Sequence, residues 1–167
     1  MRSELSERKF FDEMSMSEHD DILSDAEREA LAAVSAPDEP APLVLVVDDN
    51  ALNREALSVY LRSRGIDTCM ADGAAQALAQ LAAHPRIGLM VTDLRMAPED
   101  GLALIRHVRV SQRAELPIIV VSGDTDVQEA VEAMHLGVLD VLLKPVDLGR
   151  LLELVSTELK LEVGGRG

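Results

Sequence analysis

The stretch Leu43-Val44-Leu45-Val46-Val47-Asp48-Asp49-Asn50 passes without a break from five aliphatics to two adjacent acids and an amide. A continuous apolar run rich in β-branched residues is the pattern of a strand buried on both faces. Outward from it the pattern alternates. Residues 51–64 read as a helix with Leu52, Ala56, Val59 and Tyr60 inward, stopped at Gly65. A short strand is predicted at about 67–71 and an Ala-rich helix at about 73–83, ending near Pro85. Leu89–Thr92 (strand), Gly101–Val110 (helix), Pro117–Ser122 (strand), Asp126–Leu136 (helix, stopped by Gly137), Val138–Leu142 (strand) and Asp147–Leu161 (helix) complete the series. Strands alternating with helices predict an α/β fold, a doubly wound five-stranded parallel sheet covered on both faces.

Upstream of Leu43 the character changes. Residues 1–42 hold 12 acids and 4 bases, against 18 and 12 in residues 43–167. The first segment ends in Ala36-Pro37-Asp38-Glu39-Pro40-Ala41-Pro42, whose prolines favour an extended linker over 36–42. Within it Ser24-Asp25-Ala26-Glu27 has the capping-box pattern and would open a short helix at 25–34. Ten residues make a marginal helix in isolation. The expected organisation is therefore an acidic extension over 1–42, a folded domain over 43–162 and a flexible C-terminus over 163–167.

The chain has 167 residues, a formal net charge of −14 and 47% hydrophobic residues, enough for a packed core. Its acidity argues against a nucleic-acid binder and against attraction to anionic membranes. Only Phe10, Phe11 and Tyr60 are aromatic, which leaves little for base stacking. Cys69 is the lone cysteine, so an intramolecular disulfide and a thiolate zinc site are both excluded. No apolar run approaches the roughly 18 residues of a membrane span and no signal-peptide core is evident, so a cytoplasmic location is expected.

In parallel sheets the ligand site lies at the carboxyl ends of the strands. Those ends are Asp48-Asp49-Asn50, Asp93, Ser122 and Lys144-Pro145. Three acids on one rim repel one another unless a cation lies among them. Hard oxygen ligands without His or Cys suit Mg²⁺. Lys144 is one of only three lysines and would add a point positive charge, Ser122 a hydroxyl. A carboxylate in such surroundings can be the nucleophile of phosphoryl transfer. Each residue also has a plainer reading: Asp48 and Asp49 as a solvated turn capping the next helix, Ser122 as a turn residue, Lys144 as a surface charge. His84, His107 and His135 lack metal-like spacing and read as surface or packing residues; Met90, Met96 and Met134 read as core. In the last helix Leu148, Leu151, Leu152, Val155 and Leu159 form the inward stripe. Leu154 and Leu161 are left either as its edge or as a dimer or partner contact.

Together, Leu45-Val46-Val47-Asp48-Asp49-Asn50, Val91-Thr92-Asp93-Leu94-Arg95-Met96, Asp100-Gly101, Val120-Val121-Ser122-Gly123 and Leu143-Lys144-Pro145 resemble the receiver domain of bacterial two-component response regulators, over roughly residues 43–161. The resemblance implies the flavodoxin-like, CheY-like (βα)5 fold. It implies that Asp93 accepts a phosphoryl group from a sensor histidine kinase or a histidine phosphotransfer protein. Asp48, Asp49, Asp93 and the backbone carbonyl of Arg95 would hold Mg²⁺. Ser122 would turn toward the phosphoryl group and Lys144 would pair with it. Pro145 matches a proline usually preceded by a cis bond. Gly123 matches a small residue that leaves the approach open, and the side chains of Arg95 and Asp124 would tune the lifetime of the phosphate.

The chain departs from the family at Val141, three residues before Lys144, where most receivers carry Tyr or Phe. Valine has no ring to swing inward, and its χ1 is stiff. No DNA-binding helix-turn-helix or other output signature follows the last helix. The expectation is a phosphorelay protein and no turnover enzyme, acting through an unknown downstream protein, or else a receiver fragment of a longer regulator. A phosphorylation-independent adaptor is the alternative. A phosphohydrolase acting on external substrates would need a second acid two residues past Asp93, and that position is Arg95.

Overall fold

The computed structural model describes residues 40–161. The proposed helix at 25–34, most of the 36–42 linker and residues 163–167 lie outside the described residues. Ten elements alternate: β1 Leu43–Val47, α1 Ala51–Ser63, β2 Thr68–Ala71, α2 Ala74–Ala83, β3 Ile87–Asp93, α3 Gly101–Arg109, β4 Ile118–Ser122, α4 Val127–His135, β5 Asp140–Leu143 and α5 Leu148–Leu159. The sheet is five-stranded in the order β2-β1-β3-β4-β5, and every pairing is parallel. The sequence thus predicts the class and every element, with ends off by one or two residues. Among them, β3 begins two residues earlier than expected, and β5 is displaced toward Lys144 by two residues at its start and one at its end.

Alternation along β1 divides the core. Leu43, Leu45 and Val47 join the side packed on α2 and α3, with Ala77, Leu81, Leu102, Ile105 and Val108. Val44 and Val46 join the other, with Leu57 and Leu61 of α1 and Leu151 and Val155 of α5. Successive strand residues point to opposite faces, so one unbroken apolar run feeds two cores. The helices are started by side chains: Asn50, Asp100 and Asp147 accept the amides of Asn53, Ala103 and Arg150.

Three expectations about faces need correction. In α1 the buried residues are Leu57, Ser58 and Leu61, whereas Leu52 and Val59 are 78% and 56% exposed and Ala56 is exposed as well. Tyr60 is half-buried. The helix carries apolar residues on nearly every side, and the sheet selects the stripe one step round from the expected one. Met134 is not core: it is half exposed on α4, whereas Met90 and Met96 are buried. In α5, Leu148 is exposed at the start of the stripe, and Leu154 and Leu161 pack against the α1–α5 core, the edge-of-stripe reading.

Two features fix the loops. Gly101 opens α3 directly against the end of β3, and its N–H donates to the carbonyl of Leu94 at 2.9 Å. A Cβ there would run into the backbone carbonyl of Asp93 and come within 2.8 Å of Leu94 Cα. At the opposite end of the sheet, the Arg109 guanidinium donates to the carbonyls of Leu136 (2.7 Å), Gly137 (3.1 Å), Ala114 (2.9 Å) and Leu116 (2.8 Å). It ties the C-terminal end of α4 to the loop before β4.

Two stability predictions follow from this packing. Met90→Ala costs about 2–5 kcal/mol by urea unfolding, while Met134→Ala stays within about 0.5 kcal/mol of wild type. Gly101→Ala costs about 1–3 kcal/mol in the same assay, because the backbone beside Asp93 must move.

Candidate functional site

Because β1 and β3 are neighbours in the sheet, their carboxyl ends bring together Asp48, just past β1, and Asp93, the last residue of β3, and the ends of β4 and β5 add Ser122 and Lys144 on the same rim. Asp48 and Asp93 are only 3% and 5% exposed, and Ser122 is buried. Asp49 is exposed and lines an open cleft with Leu94, Arg95, Met96, Asp100 and Glu129.

Both carboxylate oxygens of Asp93 are engaged. Lys144 Nζ donates to Oδ2 at 3.0 Å, across 51 positions of sequence, and the Arg95 N–H donates to Oδ1 at 3.3 Å. The lysine is fixed from behind, since its own N–H donates to the Ser122 carbonyl at 2.9 Å. The Lys144–Pro145 peptide is cis. Asp48 Oδ1 accepts the Asn50 N–H at 2.9 Å, and the Asp48 carbonyl accepts Arg54 Nη1 at 2.7 Å. Burial pushes the Asp48 carboxyl above its ordinary pKa. The Asn50 N–H and Lys144 oppose the rise, and the neighbouring Asp93 and Asp49 add to it.

These surroundings suit a cation. Two buried acids and a third at the rim face one lysine, so negative charge is left over. Among the described residues no three His, Cys, Asp or Glu side chains sit close enough to hold a metal by themselves. Mg²⁺ does not require such a cage, because it keeps several waters and takes one or two carboxylates. Asp48, Asp49, Asp93 and the Arg95 carbonyl offer only hard oxygen donors, and the donor set fits the ion.

The remaining residues take different positions. The Ser122 hydroxyl donates to the Gly123 carbonyl at 3.2 Å and does not bond Asp93 here. A Cβ on Gly123 would meet nothing closer than 3.7 Å, so space beside Ser122 is open. Val141 is half-buried against the α2–α3 core, beside Val120 of β4. Asp124 is exposed.

The Arg95 side chain bonds Asp126 and makes no hydrogen bond to Asp93. Its Nε donates to Asp126 Oδ1 at 2.6 Å, and this bond, with the charge of Asp126, raises the guanidinium pKa further. Asp126 is only 2% exposed, and its Oδ2 accepts the Gly123 N–H at 3.1 Å. Sequence reasoning missed this residue. It was visible as an acid at the start of a predicted helix, the place of a cap. Yet its side chain makes no cap bond to α4 and folds back toward the β4 end.

Residues 44–156 match the response regulator receiver domain family. The chain is 36% identical to the response regulator protein PilR of Pseudomonas aeruginosa over 117 residues, covering 70% of this chain and 26% of PilR. It is 34% identical to the transcriptional regulatory protein FixJ of Bradyrhizobium diazoefficiens, covering 70% of this chain and 56% of FixJ. It thus spans about a quarter to just over half of these relatives' lengths. Among solved structures, a response regulator receiver protein from Pseudomonas putida superposes with a TM-score of 0.69 at 68% identity, covering 72% of this chain and 99% of that one. The parallel sheet, the residues at its strand ends and these matches lead to one conclusion: the chain belongs to the receiver domain family of response regulators.

Proposed function

We propose that Asp93 accepts a phosphoryl group from a phosphohistidine on a sensor histidine kinase or a histidine phosphotransfer protein. The observation that carries this reading is the buried Asp93 carboxylate with Lys144 Nζ at 3.0 Å and the buried Asp48 beside it. An Asp93 oxygen attacks phosphorus, a P–O bond forms, the P–N bond to the donor imidazole breaks, and its electron pair stays on the imidazole nitrogen. Lys144 then pairs with a phosphoryl oxygen in place of the carboxylate charge it meets here. Ser122 rotates from the Gly123 carbonyl to donate its hydroxyl to another. Asp48, Asp49, Asp93 and the Arg95 carbonyl would hold Mg²⁺, which when bound offsets charge on the transferring group.

The surface around the site supports a protein donor. Ala56 lies in a groove with Lys144, Pro145, Val146 and Leu148, and Leu52 and Val59 stand exposed on the same helix. An apolar face beside the reacting carboxylate suits docking of a donor helix. The chemistry is limited to one phosphoryl group per chain and its hydrolysis, so the protein is a phosphorelay component and does not turn over a substrate. Output passes through a downstream protein in the cytoplasm. No helix among the described residues is long and apolar enough to cross a membrane.

A second reading, an adaptor whose partner binding ignores phosphorylation, is favoured by Val141. A half-buried valine offers no ring to exchange between exposed and buried positions. It predicts partner binding unchanged by Asp93→Asn.

With Mg²⁺ and acetyl phosphate, intact-mass measurement shows a single phosphoryl adduct that Asp93→Asn abolishes; an adduct persisting in that variant would refute the assignment. Asp48→Asn gives a second check, by thermal unfolding. A carboxyl whose folded pKa is raised binds protons more tightly folded than unfolded, so its cost is greatest at neutral pH and fades as pH falls through the folded value. In metal-free buffer at pH 7, Asp48→Asn is therefore more stable than wild type, and its advantage shrinks toward acid pH. Adding Mg²⁺ stabilises wild type and leaves the variant nearly unmoved.

A further inference from the structure

We propose that Asp126 is a positioning residue that restrains the site in the arrangement seen here, competing with a phosphoryl group on Asp93 for the partners that group would draw. The inference rests on the reading of Asp93 as the phospho-acceptor.

The loops on either side of Asp93 are held by one carboxylate. Arg95 lies two residues beyond Asp93, and its guanidinium is spent on Asp126 Oδ1 at 2.6 Å. Gly123 directly follows Ser122, and its N–H is spent on Asp126 Oδ2 at 3.1 Å. The Asp126 N–H in turn donates to the Gly123 carbonyl at 3.2 Å, the same carbonyl that accepts the Ser122 hydroxyl. For that hydroxyl to reach Asp93 it must leave the Gly123 carbonyl, and Asp126 holds Gly123 through both its N–H and its carbonyl, one on each of the two peptides that flank its Cα.

The placement of Asp126 is costly for a mere helix start. It sits at the cap position of α4 yet gives that helix no side-chain cap bond. A carboxylate at that position ordinarily satisfies the first free amides of its own helix. Here its two oxygens serve groups that flank the reacting residue, and the side chain is almost wholly buried. The carboxylate therefore occupies, as an internal anion, the partners suited to an incoming phosphoryl dianion. A ligand shifts such an equilibrium only by its differential interaction with the two arrangements. Removing the internal anion enlarges that difference in favour of the phosphoryl group.

The test uses the full chain and beryllofluoride with Mg²⁺, a stable mimic of the aspartyl phosphate, with affinity read by calorimetry and thermal midpoint read without fluoride. Asp126→Asn keeps the side-chain shape, the capping potential and an acceptor for the Gly123 N–H, but removes the charge. The expected result is a lower thermal midpoint together with beryllofluoride affinity raised about fivefold or more. A purely structural role would lower stability without raising affinity. On an Arg95→Gln background, which already lacks the ion pair, the same substitution changes affinity by less than about twofold. Unchanged or weaker binding by Asp126→Asn, with wild type binding normally, overturns the proposal. Equal strengthening on both backgrounds also overturns it, because the effect would not pass through Arg95. Failure of wild type to bind beryllofluoride would instead overturn the phospho-acceptor reading, and this inference with it.

Discussion

The ion pair between Lys144 and Asp93 is the interaction on which the arrangement depends. Taking a carboxylate out of water is expensive unless a partner and further hydrogen bonds replace its hydration. Asp93, nearly buried at the end of a central strand, meets that requirement with a lysine from the far edge of the sheet and an amide from its own loop. The lysine reaches it only because β5 lies next to β4, β4 next to β3, and its backbone is hung on Ser122. The sheet order is thus a condition for the charge balance, and a pocket that still carries excess negative charge is what makes a divalent cation a fitting guest.

Much of this is legible in the chain. The unbroken, β-branched apolar run before Asp48-Asp49 has the pattern of a strand covered on both sides, and parallel connections then bring distant strand ends to one rim. The scarcity of lysine makes Lys144 conspicuous. What is not legible is phase and direction. In α1, apolar residues surround the axis, so pattern alone cannot decide between Leu52, Ala56 and Val59 on one side and Leu57 and Leu61 on another. The sheet decides, and it even buries the polar Ser58. Met134 is misleading for a related reason: a flexible apolar side chain is compatible with either face of α4. Asp126 shows the limit most clearly. Its residue type and position announce a cap, and only the folded chain shows that it turns backward.

Val141 separates the chemistry of the site from its outward effect. Neither hydrogen bond to the Asp93 carboxylate involves it, yet it stands where the family resemblance implies an aromatic ring. On the proposed phosphoryl switch, with that ring missing, a change at the rim would reach the surface through backbone and helix displacement. The loop bearing Gly123 leads directly into α4, which makes that helix the shortest mechanical route outward.

The Arg109 guanidinium bears on how such a displacement unfolds. Its four carbonyl bonds pin the C-terminal end of α4 to the loop before β4, at the edge of the sheet remote from Asp93. A rod clamped at one end cannot slide; it can only pivot. On the proposed phosphoryl switch, a push delivered where Gly123 and Asp126 meet the helix would turn it about a fulcrum at Leu136 and Gly137. The exposed row of Val127, Val131 and Met134 would then sweep through an arc widest next to the site and narrowing to nothing at the clamp.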